Sequence, residues 1–205
     1  MTRTYDQMFT WPNLLTFARI LVIPLFVTVY YLPVSWAHIA AAIIFALASM
    51  TDWLDGYLAR YLKQSTKLGA FLDPVADKLM VSISLVLIVA EPTFKYVSVT
   101  SAIVSIPTAL MTIPAAIIVA REIIVSALRE WMAELGKRKS VAVSNLGKLK
   151  TCVQMVALVV MIYSDASTNA TLVFTGYGLL YVAAVLTIWS MFYYLKAAWK
   201  DFDTA

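Results

Sequence analysis

Six long apolar stretches dominate this chain of 205 residues, at roughly 12–32, 35–61, 70–90, 107–133, 142–164 and 171–196. A helix that crosses the hydrocarbon core of a bilayer needs about 20 mostly apolar residues, each rising about 1.5 Å. Every stretch meets that length, and short loops join them except across 91–106. Composition agrees: 61% of the residues are hydrophobic and 14% charged, against about half and about a quarter in a soluble domain. One soluble core could not hide this much apolar surface. A disordered chain and a disulfide scaffold are likewise excluded, since the single cysteine, Cys152, forms no bridge within the chain. No period-2 alternation is sustained, which argues against a β-barrel. The expectation is an all-α fold: one integral membrane domain over 1–205, a bundle of six transmembrane helices. The opening MTRTYDQMFTW reads as a short N-terminal interfacial helix. No cleavable signal peptide is expected, because the first apolar stretch has full membrane length. The segment EPTFKYVSVTSAIVSI at 91–106 reads as either a re-entrant or an interfacial piece.

The net charge of +4, from 16 basic and 12 acidic residues, is first a signal of topology. Arg3, Arg60, Lys63, Lys67, Lys137, Arg138, Lys139, Lys196 and Lys200 lie at one set of helix ends, whereas the opposite loops hold only Lys95. Positive residues stay on the cytoplasmic side, so both termini are expected there, and an even number of spans agrees.

A charge inside a spanning segment costs at least about 2.5–3.5 kcal/mol on insertion scales, so such residues point to function. Asp52 and Asp55 are three apart at the cytoplasmic end of the second stretch, and Asp73 and Asp77 are four apart at the start of the third. Each pair shares a helical face. The short turn YLKQSTK makes the two helices antiparallel neighbours, so four carboxylates can line one cleft. Together they carry about −4 and need cations beside them. Two divalent ions supply that charge, and hard oxygen ligands favour Mg²⁺ or Mn²⁺ over zinc. Gly56 and Ala59 leave room for a bulky ligand, and Arg60 offers a fork for phosphate. The combination points to a diphosphate substrate. Asp73 precedes Pro74, a good helix start, so part of its role is expected to be capping.

The complete pattern D-x₂-D-G-x₂-A-R-x₈-G-x₃-D-x₃-D, formed by Asp52, Asp55, Gly56, Ala59, Arg60, Gly69, Asp73 and Asp77, resembles the signature of the CDP-alcohol phosphatidyltransferases. The resemblance implies six transmembrane helices, usually in a homodimer. It implies that Asp52, Asp55 and Asp73 bind two metal ions and that Asp77 binds metal and acts as the base. Gly56, Ala59, Arg60 and Gly69 then belong to the CDP-diacylglycerol site.

Two further clusters extend the likeness. Asn13, Thr16 and Arg19 fall on nearly one face of the first stretch, and PNLLTFAR resembles the family's N-x₂-T-x₂-R element. Asn13 and Thr16 are assigned to the donor site, with helix capping and backbone bonding as the plainer alternative. Arg19 either binds a phosphate or pairs with one of the aspartates. Arg121 and Arg129, eight apart and read as sharing a face, join Lys148 and Lys150 as a second anion pocket, with Glu122 offsetting or orienting them. Snorkelling of helix-end bases is the alternative. The segment AREIIVSALREWMAELGKRKSVAV…GKLKT resembles the branch of the family whose acceptor is glycerol 3-phosphate. The likeness runs over most of 11–160, and 91–110 looks like an insertion. The implied enzyme moves a phosphatidyl group from CDP-diacylglycerol to glycerol 3-phosphate in the inner membrane of a bacterium, with its site on the cytoplasmic side. Arg121, Arg129, Lys148, Lys150 and Arg19 are its candidates for the acceptor phosphate. Membrane lipids surround it, and no nucleic-acid partner is expected. Other readings stay open: a different acceptor such as inositol phosphate, an intramembrane prenyltransferase, or an ion transporter with a carboxylate site. The transporter would not need Gly56, Ala59, Arg60 or the basic pocket.

Overall fold

A computed structural model of the chain describes residues 11–62, 67–99, 102–136, 145–165 and 167–202; the side chains at 11, 12, 52–62, 67, 68, 70, 145, 146, 197 and 200–202 lie outside that description. Six long helices run through it: α1 (Trp11–Tyr30), α2 (Ala37–Leu62), α3 (Lys67–Ala90), α4 (Ala109–Glu134), α5 (Asn145–Tyr163) and α6 (Ala170–Phe202). Asn13–Tyr30, Ala109–Glu134 and Ala170–Lys196 are long and apolar enough to cross a membrane by length and composition. The expected interfacial helix at residues 1–10 lies outside the described residues.

The described residues are mostly helical, as expected, and the segment at 91–106 is the exception. Between α3 and α4 the chain makes a 3₁₀ turn (Pro92–Phe94) and two antiparallel strands, β1 (Tyr96–Val99) and β2 (Ala102–Ser105). Tyr96 faces Ser105 and Val99 faces Ala102. Tyrosine, valine and isoleucine favour extended backbone here, and the segment is too short for a span of its own.

The chain divides into two compact units, Met1–Leu87 and Ile88–Ala205. In the first, α1 packs on α2. Asn13, Thr16, Arg19, Ile23, Phe26 and Tyr30 form the buried stripe of α1, at the three-to-four spacing of one helical face. Ala37, Ala41, Ala42, Phe45 and Ala48 are buried on α2, small residues that let two helices approach closely. The Phe26 and Phe45 rings meet at 6.1 Å between centroids. The opposite faces are apolar too: Leu21 is 74% exposed and Met50 68%, as expected where lipid replaces water as the surrounding medium.

Hydroxyl groups behave the same way. Thr28 donates to Pro24 O at 2.8 Å, Thr112 to Thr108 O at 3.1 Å and Thr175 to Thr171 O at 2.8 Å. All three are exposed on helix flanks. A hydroxyl facing hydrocarbon finds no water, so it uses the carbonyl one turn back on its own helix.

In the second unit α6 packs against both α4 and α5. Its approach to α5 is close: a Cβ on Gly176 would stand 2.9 Å from Met161 Cγ. Val125, Leu128 and Met132 of α4 form a buried cluster with Tyr194 and Ala198 of α6. The hairpin is tied to α6 through Tyr177, whose hydroxyl donates to Phe94 O at 2.6 Å while the two rings meet edge-on. Gly136, at φ 71°, ends α4 in the left-handed region that glycine adopts without a Cβ clash.

Candidate active site

The second half of the acidic motif lies on α3. Asp73 and Asp77 are one turn apart there and both half-buried, beside the fully buried Ala76. Thr16 of α1 donates its hydroxyl to Asp73 Oδ1 in a short hydrogen bond. The N-x₂-T-x₂-R element and the second aspartate pair are therefore joined across 57 residues of sequence. Asn13 and Arg19 are buried on the same stripe as Thr16, and Gly69 is buried in the first turn of α3. Thr16 is thus used as a tertiary donor rather than only as a local cap. Asp73 does not cap a helix: α3 starts at Lys67, so Asp73 and Pro74 lie inside it. Pro74 stands two turns into the helix, where it removes one backbone bond and crowds the carbonyl one turn back, and the helix nevertheless runs on through it.

Asp52, Asp55, Gly56, Ala59 and Arg60 fall within the last turns of α2, but their side chains lie outside the described residues. Among the described residues no three acidic, histidine or cysteine side chains are grouped to hold a metal. The donor set present fits a hard cation even so. Asp73 and Asp77 offer carboxylate oxygens one turn apart on a single helix, and oxygen ligands suit Mg²⁺ or Mn²⁺.

The basic cluster is built in the second unit by three helices. Arg121 is 9% exposed and Lys150 2%, so neither snorkels. One carboxylate serves both. Glu122 accepts from Arg121 Nη1 at 3.3 Å and, in a short contact, from Lys150 Nζ. Arg121 Nη2 donates to Ser190 Oγ of α6 at 3.0 Å, and its Cζ stands 5.6 Å from the centroid of the Tyr194 ring. Arg121 Nε, Gln154 Oε1 and Thr187 Oγ1 are buried with no hydrogen-bond partner among the described residues.

Arg129 and Lys148 are both exposed. The expectation that Arg121 and Arg129 share a face is corrected. Eight residues at about 100° each overshoot two turns by roughly 80°. Arg121 therefore lies with Val125, Leu128 and Met132 on the buried side, and Arg129 beside it in the open. Sequence reasoning passed over Gln154, Thr187, Ser190 and Tyr194. Their signal was present: Gln154 is one turn past Lys150, and Thr187, Ser190 and Tyr194 repeat at helical spacing in an otherwise apolar helix.

Helices apolar enough to span a membrane, an aspartate bonded to the N-x₂-T-x₂-R helix and a buried basic cluster define a membrane protein with charged groups inside its helices. Residues 9–189 match the CDP-alcohol phosphatidyltransferase family, and the chain belongs to it. It is 52% identical over 193 residues to the CDP-diacylglycerol–glycerol-3-phosphate 3-phosphatidyltransferase of Escherichia coli (strain K12), an alignment covering 94% of this chain and 97% of that protein. Proteins of the same name from Shigella flexneri serotype 5b and Shigella sonnei align with the same identity and coverage. Enzymes of this family generally use a divalent metal.

Proposed function

We propose that this chain transfers the phosphatidyl group of CDP-diacylglycerol to glycerol 3-phosphate, giving phosphatidylglycerol phosphate and CMP in phospholipid biosynthesis. The observation that carries the choice of acceptor is Glu122, a single carboxylate beside two buried cations, Arg121 and Lys150. Two buried cations that converge on one carboxylate favour an anionic ligand, to which each can add a charge-assisted contact. A neutral acceptor such as glycerol has no anion to place there; the phosphate of glycerol 3-phosphate does.

Asp52, Asp55, Asp73 and Asp77 are the proposed metal ligands. When bound, two Mg²⁺ ions, or Mn²⁺, supply positive charge against the donor's diphosphate. Gly56 and Ala59 leave space for the nucleotide, and Arg60 pairs with a phosphate oxygen. Gly69, Asn13 and Thr16 complete the donor site, with Thr16 orienting Asp73 through its hydroxyl. Asp77 takes the proton of the acceptor hydroxyl. The acceptor oxygen bonds to the phosphatidyl phosphorus as the bond to CMP breaks, so charge is conserved and CMP leaves as the anion. Arg121 and Lys150 hold the acceptor phosphate from within, and Arg129, Lys148 and Arg19 are further candidates for it.

The chain is read as a single family domain with six transmembrane spans. It lies in a bacterial inner membrane with its termini and site on the cytoplasmic side, and it works as a homodimer. The basic residues at one set of helix ends support that orientation. The test is CMP release by the purified protein, supplied with CDP-diacylglycerol, Mg²⁺ and a panel of acceptors. Glycerol 3-phosphate is expected to support turnover at least about a hundredfold better than glycerol or serine, the ratio that about 3 kcal/mol of charge-assisted contact gives. Equal rates with neutral acceptors would overturn the reading.

A further inference from the structure

Arg121 is anchored from the last helix. Ser190 is fully buried, and its hydroxyl donates to Thr187 O at 3.0 Å. With its one proton committed there, Ser190 Oγ turns a lone pair toward Arg121 Nη2, 3.0 Å away. Tyr194, one turn farther along α6, offers its ring face to the same guanidinium. Glu122 takes Nη1, and Nε is left with no partner among the described residues. A planar group held at Nη1, Nη2 and one face has a fixed direction.

Packing alone does not require the Ser190 contact. The cluster of Val125, Leu128, Met132, Tyr194 and Ala198 already joins α4 to α6, and a serine hydroxyl buried between them is costly unless it is used. Residues 190 and 194 also lie beyond the stretch 9–189 that matches the family, so the family match does not assign them.

We propose that Ser190 and Tyr194 are positioning residues for the acceptor: they aim the Arg121 guanidinium at the acceptor's phosphate. The proposal rests on the reading of Arg121 as a ligand of that phosphate. A charge-assisted hydrogen bond and a cation–π contact act here through Arg121, not on the substrate directly.

The experiment uses the full-length enzyme in lipid or detergent, with each substrate varied in turn and thermal midpoints recorded. Ser190→Ala is expected to raise the KM for glycerol 3-phosphate by roughly tenfold and Tyr194→Leu by roughly threefold. The KM for CDP-diacylglycerol and the kcat should stay within about twofold in both. Tyr194→Phe keeps the ring and should keep the acceptor KM. In an Arg121→Ala background, Ser190→Ala should add nothing, because the group it positions is gone. If Arg121→Ala raises the acceptor KM but Ser190→Ala and Tyr194→Leu leave it unchanged, the positioning role is wrong and the acceptor reading stands. Equal losses for donor and acceptor, or full additivity with Arg121→Ala, would also overturn it by making the role merely structural. If Arg121→Ala itself leaves the acceptor KM unchanged, the acceptor reading fails and takes this inference with it.

Discussion

Thr16 and Asp73 stand 57 positions apart in sequence and are joined by a hydrogen bond from hydroxyl to carboxylate. The bond fixes one oxygen of Asp73 and leaves the other for a ligand. Thr16→Val keeps the shape and removes the donor. A hydrogen bond to a charged group contributes about 1.5–3 kcal/mol, so kcat/KM for CDP-diacylglycerol is expected to fall at least about tenfold. Thr16→Ser, which keeps the hydroxyl, should stay close to the parent. Steady-state kinetics on the two variants decides, and unchanged donor kinetics in Thr16→Val would remove Thr16 from the donor site.

Metal removal tests the aspartates as a set. Excess EDTA is expected to abolish turnover, with Mg²⁺ or Mn²⁺ restoring it and Zn²⁺ failing to, since the proposed ligands are all carboxylate oxygens. Asp52→Asn and Asp55→Asn should each lose activity that added Mg²⁺ does not recover. Full turnover in EDTA would sink the metal assignment.

The sequence made some of this legible and not the rest, for physical reasons. Helix limits could be read because apolar length is dictated by the bilayer: the stretch expected at 107–133 is the helix Ala109–Glu134, and that at 171–196 lies within Ala170–Phe202. The spacing of Asn13, Thr16 and Arg19 correctly gave one buried face. The stretch expected at 70–90 is the helix Lys67–Ala90; Asp73-Pro74 imitates a cap in sequence, but the helix has already run two turns when it reaches the pair. Eight residues only approximate two turns of a 3.6-residue period, and that drift carries Arg129 off the face of Arg121. The pairing of Glu122 with Lys150 spans 28 residues and depends on how two helices are rotated toward each other. Local pattern does not encode that, and the same holds for Ser190 and Tyr194 on Arg121.

The hairpin makes a separate claim on stability. Tyr177 and Phe94 are both buried, and the tyrosine hydroxyl satisfies the Phe94 carbonyl at 2.6 Å. Tyr177→Phe leaves that carbonyl without its donor at a cost of about 1–3 kcal/mol. The thermal midpoint is expected to drop by a few degrees, with acceptor and donor KM unchanged, because the contact belongs to the packing of the hairpin on α6. A lowered kcat at an unchanged midpoint would instead tie the hairpin to turnover.

Glu122 allows structure and substrate binding to be separated. It takes the Lys150 ammonium and one nitrogen of Arg121, so Glu122→Gln removes the carboxylate that these two buried cations share. Breaking a buried ion pair from one side costs about 3–5 kcal/mol, and the thermal midpoint should fall clearly. Glycerol 3-phosphate supplies the missing negative charge, so it should raise the midpoint of Glu122→Gln more than that of the parent. The double variant Glu122→Gln, Lys150→Gln removes one charge of each sign and should regain most of the lost stability. Its acceptor KM should nevertheless stay roughly tenfold above the parent's, because the Lys150 contact with the phosphate, about 1.5–3 kcal/mol, is gone. Melting curves with and without glycerol 3-phosphate, together with acceptor kinetics on both variants, make the comparison. A double variant with parental acceptor KM would mean that Lys150 serves only to neutralise Glu122, and the acceptor phosphate would then be held by Arg121 and the exposed bases alone.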